Sequence, residues 1–253
     1  VVEVLSCVDL AVQKIDEAIA RAERLKNGLM QQLLTKGIGH KEFKETPIGK
    51  IPKDWKVVRL EDVCVEITDG SHWSPKEVEK SEYRIATVAN LKETYIDINS
   101  CKFISNEDYT RLVNEGDVPK RGDIVFSKDG TVGITFAFKQ DYCKVGLLSS
   151  IAIIRPNQQL LFPDFGAYAL KSPNVFQQIT GLKTGTALRR IILDNLRRVN
   201  IPLPSIEEQQ KIADILSFTD NILLLKKEKR EKLGRMKKRL MSLLLSGSVR
   251  VSI

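Results

Sequence analysis

A sequence repeat separated by most of the chain constrains the fold more than any other feature. Shifting residues 1–35 by 211 positions superimposes two segments that share many identical residues. The identities include Leu5-Ser6 with Leu216-Ser217, Asp9 with Asp220, Lys26 with Lys237, Leu29-Met30 with Leu240-Met241, and Leu33-Leu34 with Leu244-Leu245. One unit is thus used twice, and it flanks a central segment of about 165 residues, enough for one ordinary domain. We place the three parts at 1–38, 39–204 and 205–253.

Both copies of the repeat have the apolar spacing of long amphipathic helices. Apolar residues alternate at intervals of three and four while charged residues fill the other faces, which is typical of a coiled-coil seam. The second seam is less regular because Lys229 interrupts it. The residues predicted to pack between helices are Val8, Ile15, Ala22, Leu25 and Leu29 in the first copy, and Ile222, Leu225, Met236 and Leu240 in the second.

Two arrangements of these helices are compatible with the sequence. One is an ordinary antiparallel hairpin within a single domain. The other is assembly of chains, or of repeated halves of a longer chain, around a shared coiled coil. The repeat favours the second arrangement, because equivalent segments are what symmetric assemblies use.

Composition excludes several classes of protein. A hydrophobic content of 42% over 253 residues suffices for a buried core and argues against disorder. No apolar run approaches the roughly 18 residues of a membrane span, and no signal peptide is recognised, so we expect a cytoplasmic protein. The four cysteines form no C-x-x-C pair and only two histidines are present. We therefore expect free thiols, no metal site and no cofactor.

The central segment is predicted to be an α+β domain with a small mixed or antiparallel sheet. Runs rich in Val, Ile and Phe predict strands, and Asp129-Gly130 predicts a hairpin turn between two of them. Residues 49–55 have the composition of a linker that enters the domain. The predicted strands cover 63–67, 83–88, 102–104, 123–127, 134–138 and 147–154, and the predicted helices cover 106–114 and 163–180.

Positive charge is concentrated in two places. The net charge is +8, and residues 205–253 carry eleven basic and six acidic residues, mostly within 226–239. That run is either a solvated helix face or a surface for phosphates or a partner. In the central segment, basic residues cluster around a short polar stretch, Thr184-Gly185-Thr186, and this combination favours nucleic-acid contact. The cluster comprises Lys183, Arg189, Arg190, Arg197 and Arg198.

Three loops of the central domain are predicted to face DNA, since basic and short polar side chains bind phosphates and base edges. The same residues also have a structural explanation: the Asp-Gly pairs make turns, Arg197 and Arg198 pair with carboxylates or solvent, and His72 is an ordinary surface residue. The predicted contacts are Thr68, Gly70, Ser71 and His72 in the first loop, Lys128 and Thr131 in the second, and Lys183, Thr184, Thr186, Arg189 and Arg190 in the third.

Four motifs together resemble the specificity subunit of Type I restriction-modification systems. They are GKIPKDWKVVRLEDV at 49–63, KRGDIVFSKDGTVG at 120–133, LKTGTALRRI at 182–191 and IPLPSIEEQQKIADILS at 201–217. A Lys-Asp-Gly turn alone is a weak signal, but the set in this order is specific and covers nearly the whole chain.

The resemblance implies DNA recognition without catalysis. In that family, each target recognition domain reads one part of a split DNA sequence, while paired long helices hold two such domains at a fixed separation. The helices also bind the methyltransferase subunits, through which the restriction subunit joins the complex. This chain has one recognition domain between two helices. We expect either a half-size subunit that pairs with itself, which predicts an inverted-repeat target, or the later half of a longer protein.

Catalysis and protein–protein binding are two other classes of function. The sequence contains neither the Asn-Pro-Pro-aromatic motif of an adenine methyltransferase nor a G-x-x-x-x-G-K-S/T phosphate-binding loop, so it offers little for catalysis. A coiled-coil adaptor whose central domain binds another protein is the alternative to DNA recognition. A gel shift with random duplexes separates the two.

Overall fold

The two copies of the repeat form the longest helices of the chain. In the computed structural model, which describes residues 2–141, 144–181 and 191–246, helix α1 spans Val2–Lys36 and helix α6 spans Ile206–Leu245. The chain divides into two compact units. The helical unit comprises the described residues of 1–31 and 214–253, and the globular unit comprises those of 32–213.

Ion pairs join the two helices within the helical unit. The described pairs are Asp9 with Lys237, Asp16 with Arg230 (3.1 Å), Glu23 with Lys227 (3.1 Å) and Lys26 with Asp220 (2.5 Å). Partner numbers fall along α6 as residue numbers rise along α1, so the helices are antiparallel. The two helices of a single chain thus pair with each other, whereas the repeat had favoured a coiled coil shared between chains or repeated halves.

The sequence repeat is reflected in this pairing. Asp9 and Lys26 of the first copy correspond to Asp220 and Lys237 of the second. Asp9 pairs with Lys237, and Lys26 pairs with Asp220. Each copy therefore offers the same two charged groups to the other, as in an isologous two-fold interface.

The seam between the helices is displaced from the predicted one. Ile15 is buried as predicted, but Leu25, Leu225 and Met236 are 59%, 65% and 63% exposed. These three do not pack between α1 and α6 of one chain; at Leu25 the reason is that the next position, Lys26, faces α6, and successive helical residues point about 100° apart. The remaining predicted packing residues, Val8, Ala22, Leu29, Ile222 and Leu240, are half-buried.

Strands and short helices make up the globular unit, which confirms the predicted α+β class. The strands are β1 (Phe43–Thr46), β2 (Gly49–Pro52), β3 (Lys56–Arg59), β4 (Cys64–Asp69), β5 (Tyr83–Ala86), β6 (Lys102–Ile104), β7 (Ile124–Ser127), β8 (Thr135–Ala137), β9 (Val145–Leu147), β10 (Ile151–Pro156) and β11 (Asn200–Leu203). The shorter α-helices are α2 (Asn106–Glu115), α3 (Pro163–Lys171), α4 (Pro173–Thr180) and α5 (Leu193–Arg198).

The described strands form small sheets rather than one large sheet. An antiparallel sheet has the order β4-β10-β7-β8, and a mixed sheet has the order β6-β5-β9, with β5 and β9 parallel. Strands β1 and β2 form one two-stranded sheet, and β3 and β11 form another. Val125, Ile151 and Ile153 of the four-stranded sheet share an apolar cluster with Ala86 and Leu147 of the mixed sheet. The two larger sheets therefore enclose one core.

Three predicted segments differ from the structure. The strand predicted at 147–154 is interrupted by a turn between β9 and β10, where the Ser149 N–H donates to the Ser71 carbonyl (2.8 Å). The helix predicted at 163–180 breaks before Pro173, which lacks the N–H that would continue it. The predicted linker 49–55 contains β2, which pairs with β1.

Candidate nucleic-acid interface

Two of the predicted DNA-contacting loops leave the same edge of the four-stranded sheet. Asp69 ends β4 and pairs with Ala152, and Ser127 ends β7 and pairs with Ile151, the first residue of β10. Since β4 and β7 both run antiparallel to β10, the loops that follow them emerge beside the turn that precedes β10. We call this region the loop edge and define it as residues 70–74, 128–133 and 148–150.

The loop after β7 is held in a fixed turn by Ser127. The Ser127 hydroxyl donates to the Thr131 carbonyl (2.6 Å) and accepts the Ile134 N–H (2.8 Å). Gly130 has φ +66°, in the left-handed region that favours glycine. Gly130 and Thr131 are exposed. The predicted hairpin is therefore present, and it presents Thr131 to solvent on a preformed turn.

The loop after β4 is only partly accessible. Gly70 and Ser71 are buried, and a Cβ on Gly70 would lie 2.4 Å from the Leu147 carbonyl oxygen. Thr68 is half-buried within β4, whereas the His72 side chain is 72% exposed. Of the four contacts predicted here, His72 is the accessible one. Gly70 and Ser71 shape the loop, and direct contact with DNA would require exposure that they do not have.

Lys128 is buried, although it was predicted to face the duplex. Its side chain is 2% exposed, and its Nζ lies 2.6 Å from Oδ1 of Asp69. A lysine that binds phosphate must reach solvent, so Lys128 is not placed to do so. The error has a physical reason: a Lys-Asp-Gly turn usually directs its lysine outward, but here Asp69 on a different strand supplies a buried counter-charge.

The third predicted loop lies outside the described residues. Its predicted contacts are Lys183, Thr184, Thr186, Arg189 and Arg190. The next described residue, Ile191, donates its N–H to the Lys128 carbonyl (2.9 Å), which places it beside the loop edge. Two other members of the predicted basic cluster, Arg197 and Arg198, pair with Asp194 (3.6 and 3.3 Å). Their predicted pairing with a carboxylate is confirmed.

The structure adds residues that the sequence analysis missed. Ser149 and Ser150 are half-buried at the centre of the loop edge, where the Ser150 carbonyl accepts the Lys128 N–H (2.8 Å). Their signal was two consecutive serines inside the apolar run LLSSIAII. Trp73 is a second addition: its Nε1 donates to Glu115 (2.7 Å), and the Arg111 guanidinium stacks 4.2 Å from its ring centroid.

The accessible groups of the loop edge are small hydrogen-bonding side chains. They include the exposed His72 imidazole, the exposed hydroxyls of Ser74 and Thr131, and the half-buried hydroxyls of Ser149 and Ser150. Groups of this kind bind phosphates and base edges. Within the part of the chain that the structure describes, no three His, Cys, Asp or Glu side chains come together as metal ligands. No helix among the described residues is long and apolar enough to cross a membrane.

The motif at 201–217 contributes a half-buried carboxylate to the globular unit. Glu208 Oε1 accepts the Ile38 N–H (3.0 Å) and lies 2.9 Å from His40 Nε2, and Oε2 accepts the Trp55 Nε1–H (2.9 Å). The carboxylate thus joins the segment after α1 to the first turn of α6 and to Trp55. Glu208 holds the scaffold together and lies apart from the loop-edge residues.

The neighbouring Gln209 also serves the scaffold. Its side chain is fully buried, accepts the Phe162 N–H (2.8 Å) and donates to the carbonyls of Leu160 (2.9 Å) and Pro204 (3.0 Å). It satisfies three backbone groups that would otherwise be unpaired. The most specific motif in the sequence is therefore structural, which is consistent with readout by the loops.

Comparisons with known proteins agree on one family. The family model described as "Type I restriction modification DNA specificity domain" matches residues 52–235. The MjaVIII Type I specificity subunit of Methanocaldococcus jannaschii is 29% identical over 99% of this chain and 60% of its own length. The putative MjaX specificity subunit of the same organism is 28% identical over 99% of this chain and 57% of its own length. The chain thus spans somewhat over half the length of these relatives.

Solved structures show the same fold at low sequence identity. The HsdS subunit from Thermoanaerobacter tengcongensis superimposes with a TM-score of 0.55 at 19% identity, covering 98% of this chain and 56% of that one. The Type I S subunit from M. genitalium superimposes with a TM-score of 0.58 at 13% identity, covering 94% and 57%. The arrangement of small sheets and long terminal helices is that of these structures.

Proposed function

This chain belongs to the Type I restriction-modification DNA specificity family, and we propose that its globular unit recognises a DNA sequence through the loop edge. The observation that carries the proposal is the convergence of two separately predicted loops, with Ser149 and Ser150 between them, at one edge of one sheet. The third predicted loop ends beside them at Ile191. Loops on a rigid scaffold are where proteins usually place recognition.

We further propose that the loop edge reads one part of a bipartite target and that the chain itself is not catalytic. Methyl transfer and cleavage then belong to other subunits of the complex. A second recognition unit has to come from a second copy of this chain or from a longer protein. A second identical copy predicts an inverted-repeat target, which the sequence of the bound DNA distinguishes from two unlike halves.

The helical unit is proposed to dock the methyltransferase subunits, with the restriction subunit joining through them. Its exposed apolar side chains support this role: Leu25, Phe218, Leu225 and Met236 are each more than half exposed. Exposed apolar side chains mark an interaction surface where they form a contiguous patch, and this is the arrangement we propose for these four. A second copy of the chain is the other candidate for this surface, and the mass of the complex in solution separates the two.

The proposed function is tested by selecting from random duplexes. The chain is incubated with a pool of random-sequence duplex DNA, with and without a methyltransferase subunit, and the retained DNA is sequenced. We expect one motif to be enriched, more strongly when the methyltransferase subunit is present. Retention without any enriched motif, or no retention in either mixture, contradicts sequence recognition and favours an adaptor.

A separate prediction concerns the basic residues of the third predicted loop. Replacing Arg189 and Arg190 by alanine should weaken DNA binding and reduce the slope of log affinity against log salt by about 2, because two phosphate contacts are lost. Affinity is measured at several salt concentrations on the enriched duplex.

The matched control also removes two positive charges, but at the opposite edge of the sheet. Lys120 and Arg121 are exposed and precede β7, and replacing both by alanine should leave the salt slope nearly unchanged. An equal loss of slope in the two variants would mean that Arg189 and Arg190 act only through net charge.

A further inference from the structure

Lys128 contacts three other segments at or beside the loop edge. Its Nζ pairs with Asp69, at the start of the first loop. Its N–H donates to the Ser150 carbonyl (2.8 Å), and its carbonyl accepts the Ile191 N–H (2.9 Å), where the predicted basic loop ends. A single residue thus connects the end of β4, the loop after β7, the turn before β10 and Ile191.

We propose that Lys128 is a positioning residue for sequence discrimination: its buried ammonium group fixes the loops relative to one another and does not itself bind DNA. This inference rests on the proposed DNA recognition and assigns a specificity role within that site. The sequence predicts that Lys128 contacts DNA directly, whereas in the structure its side chain is buried.

The geometry supports positioning because the ion pair joins two strands that are not neighbours. The sheet order is β4-β10-β7, so β10 separates Asp69 from Lys128. Among the described strands, β4 pairs with β10, and β7 pairs with β10 and β8, so no strand pairing joins β4 directly to β7. The ion pair is a direct link between the ends of β4 and β7, at the point where their loops begin.

The same carboxylate also connects Lys128 to an accessible side chain. Asp69 Oδ2 lies 3.6 Å from Nε2 of His72, which is largely exposed. Asp69 therefore lies between a buried cation and a surface imidazole that can meet a base edge or a phosphate. Displacing Asp69 would move His72 as well as the start of the loop.

The burial of Lys128 distinguishes its positioning role from electrostatic attraction of DNA phosphates. A lysine side chain that is 2% exposed has no solvent path to a phosphate. Buried ion pairs add little net stability compared with apolar side chains of the same size, but some of them specify a unique arrangement. Loss of Lys128 should therefore affect which sequence is bound more than how strongly DNA as such is attracted.

The test compares Lys128→Met with the double variant Lys128→Met/Asp69→Asn, each assembled with the methyltransferase subunit. The double variant leaves no buried charge unpaired, so it carries the test even if Lys128→Met does not fold. Affinity is measured on the duplex enriched by the wild-type chain and on duplexes that differ from it by one base pair, at several salt concentrations. Thermal unfolding is measured in parallel.

We expect the double variant to keep its unfolding midpoint within about 5 °C of wild type and to lose discrimination by about tenfold, the scale of one good base contact. The salt slope should stay unchanged. Lys139→Met is the matched control, because Lys139 also pairs with a carboxylate, Asp164 (2.8 Å), but is exposed. The control should discriminate as the wild type does.

Two results would overturn the inference. One is a stable double variant that discriminates like the wild type. The other is a salt slope reduced by about one with discrimination unchanged, which is the signature of a lost phosphate contact. A wild-type chain that enriches no motif contradicts the proposed function instead, so the two failures are distinguishable.

Discussion

Replacing Glu208 by alanine is expected to lower the free energy of unfolding of the globular unit by about 3–5 kcal/mol, because several partly buried donors lose their acceptor together. The Ile38 N–H, the Trp55 indole N–H and the His40 ring all meet this one carboxylate. Each unpaired donor costs about 1–3 kcal/mol when no water replaces the acceptor. Urea unfolding followed by tryptophan fluorescence measures the change, since Trp55 is buried.

Two neighbouring residues of the motif at 201–217 serve as controls for the Glu208 variant. Glu207 and Gln210 flank the pair Glu208 and Gln209 and are both exposed. Replacing Gln210 by alanine should change stability by no more than about 0.5 kcal/mol. Replacing Glu207, an exposed acidic residue in the first turn of α6, should cost much less than replacing Glu208. A loss of similar size at Glu207 and Glu208 would contradict the role of Glu208 in the scaffold.

Replacing Asp123 by alanine is expected to cost about 2–4 kcal/mol, since it removes the buried partner of a part-buried ion pair and leaves Arg155 paired with Glu66. The Asp123 side chain is 2% exposed and accepts two hydrogen bonds from Arg155 (2.9 and 3.0 Å) and one from the Lys120 N–H (2.8 Å). Burial by itself lowers the pKa of Arg155, but the hydrogen bonds and charge of Asp123, with the charge of Glu66, outweigh burial and raise that pKa.

A surface aspartate on the same unit provides the comparison. Asp141 pairs with Arg121 (2.8 Å), and both side chains are exposed. Replacing Asp141 by alanine should cost no more than about 1 kcal/mol, the usual range of surface ion pairs. Thermal and urea unfolding of the two variants measure the contrast. Equal losses would show that the Asp123 pair is as solvated as the surface pair.

Local sequence patterns predicted those elements whose cause is local. Helix α2 begins after Ser105, whose hydroxyl accepts the Asp108 N–H (3.0 Å) as an N-cap does. The hairpin of β7 and β8 follows from Asp129-Gly130, with Ile124 paired to Ala137. Both depend on residues within a few positions of one another, so the sequence alone is sufficient to identify them.

Features that depend on contacts between residues far apart in the sequence were not predicted. The burial of Lys128 requires Asp69, which lies on another strand, and nothing in the Lys-Asp-Gly turn indicates that partner. Likewise, the heptad pattern includes Leu25, but the pairing of Lys26 with Asp220 decides which neighbouring position faces α6. In both cases an ion pair between separate segments overrides the local pattern.

For the same reason, the sequence predicts only part of the candidate site. The loops were recognised from their own composition, and sheet register then places two of them at one edge. Which side chains of a loop are accessible is set by tertiary contacts. Gly70 is enclosed by the backbone of Leu147, whereas Thr131 lies on an open turn.

Hydrogen exchange of the backbone amides, with and without the enriched duplex, tests the proposed DNA interface most directly. Binding through the loop edge predicts slower exchange at residues 72–74, 130–133 and 149–150 when DNA is present. It also predicts unchanged exchange at residues 120–123, at the opposite edge of the same sheet. Protection of 120–123 with none at the loop edge, or no DNA-dependent protection anywhere in the globular unit, would contradict it.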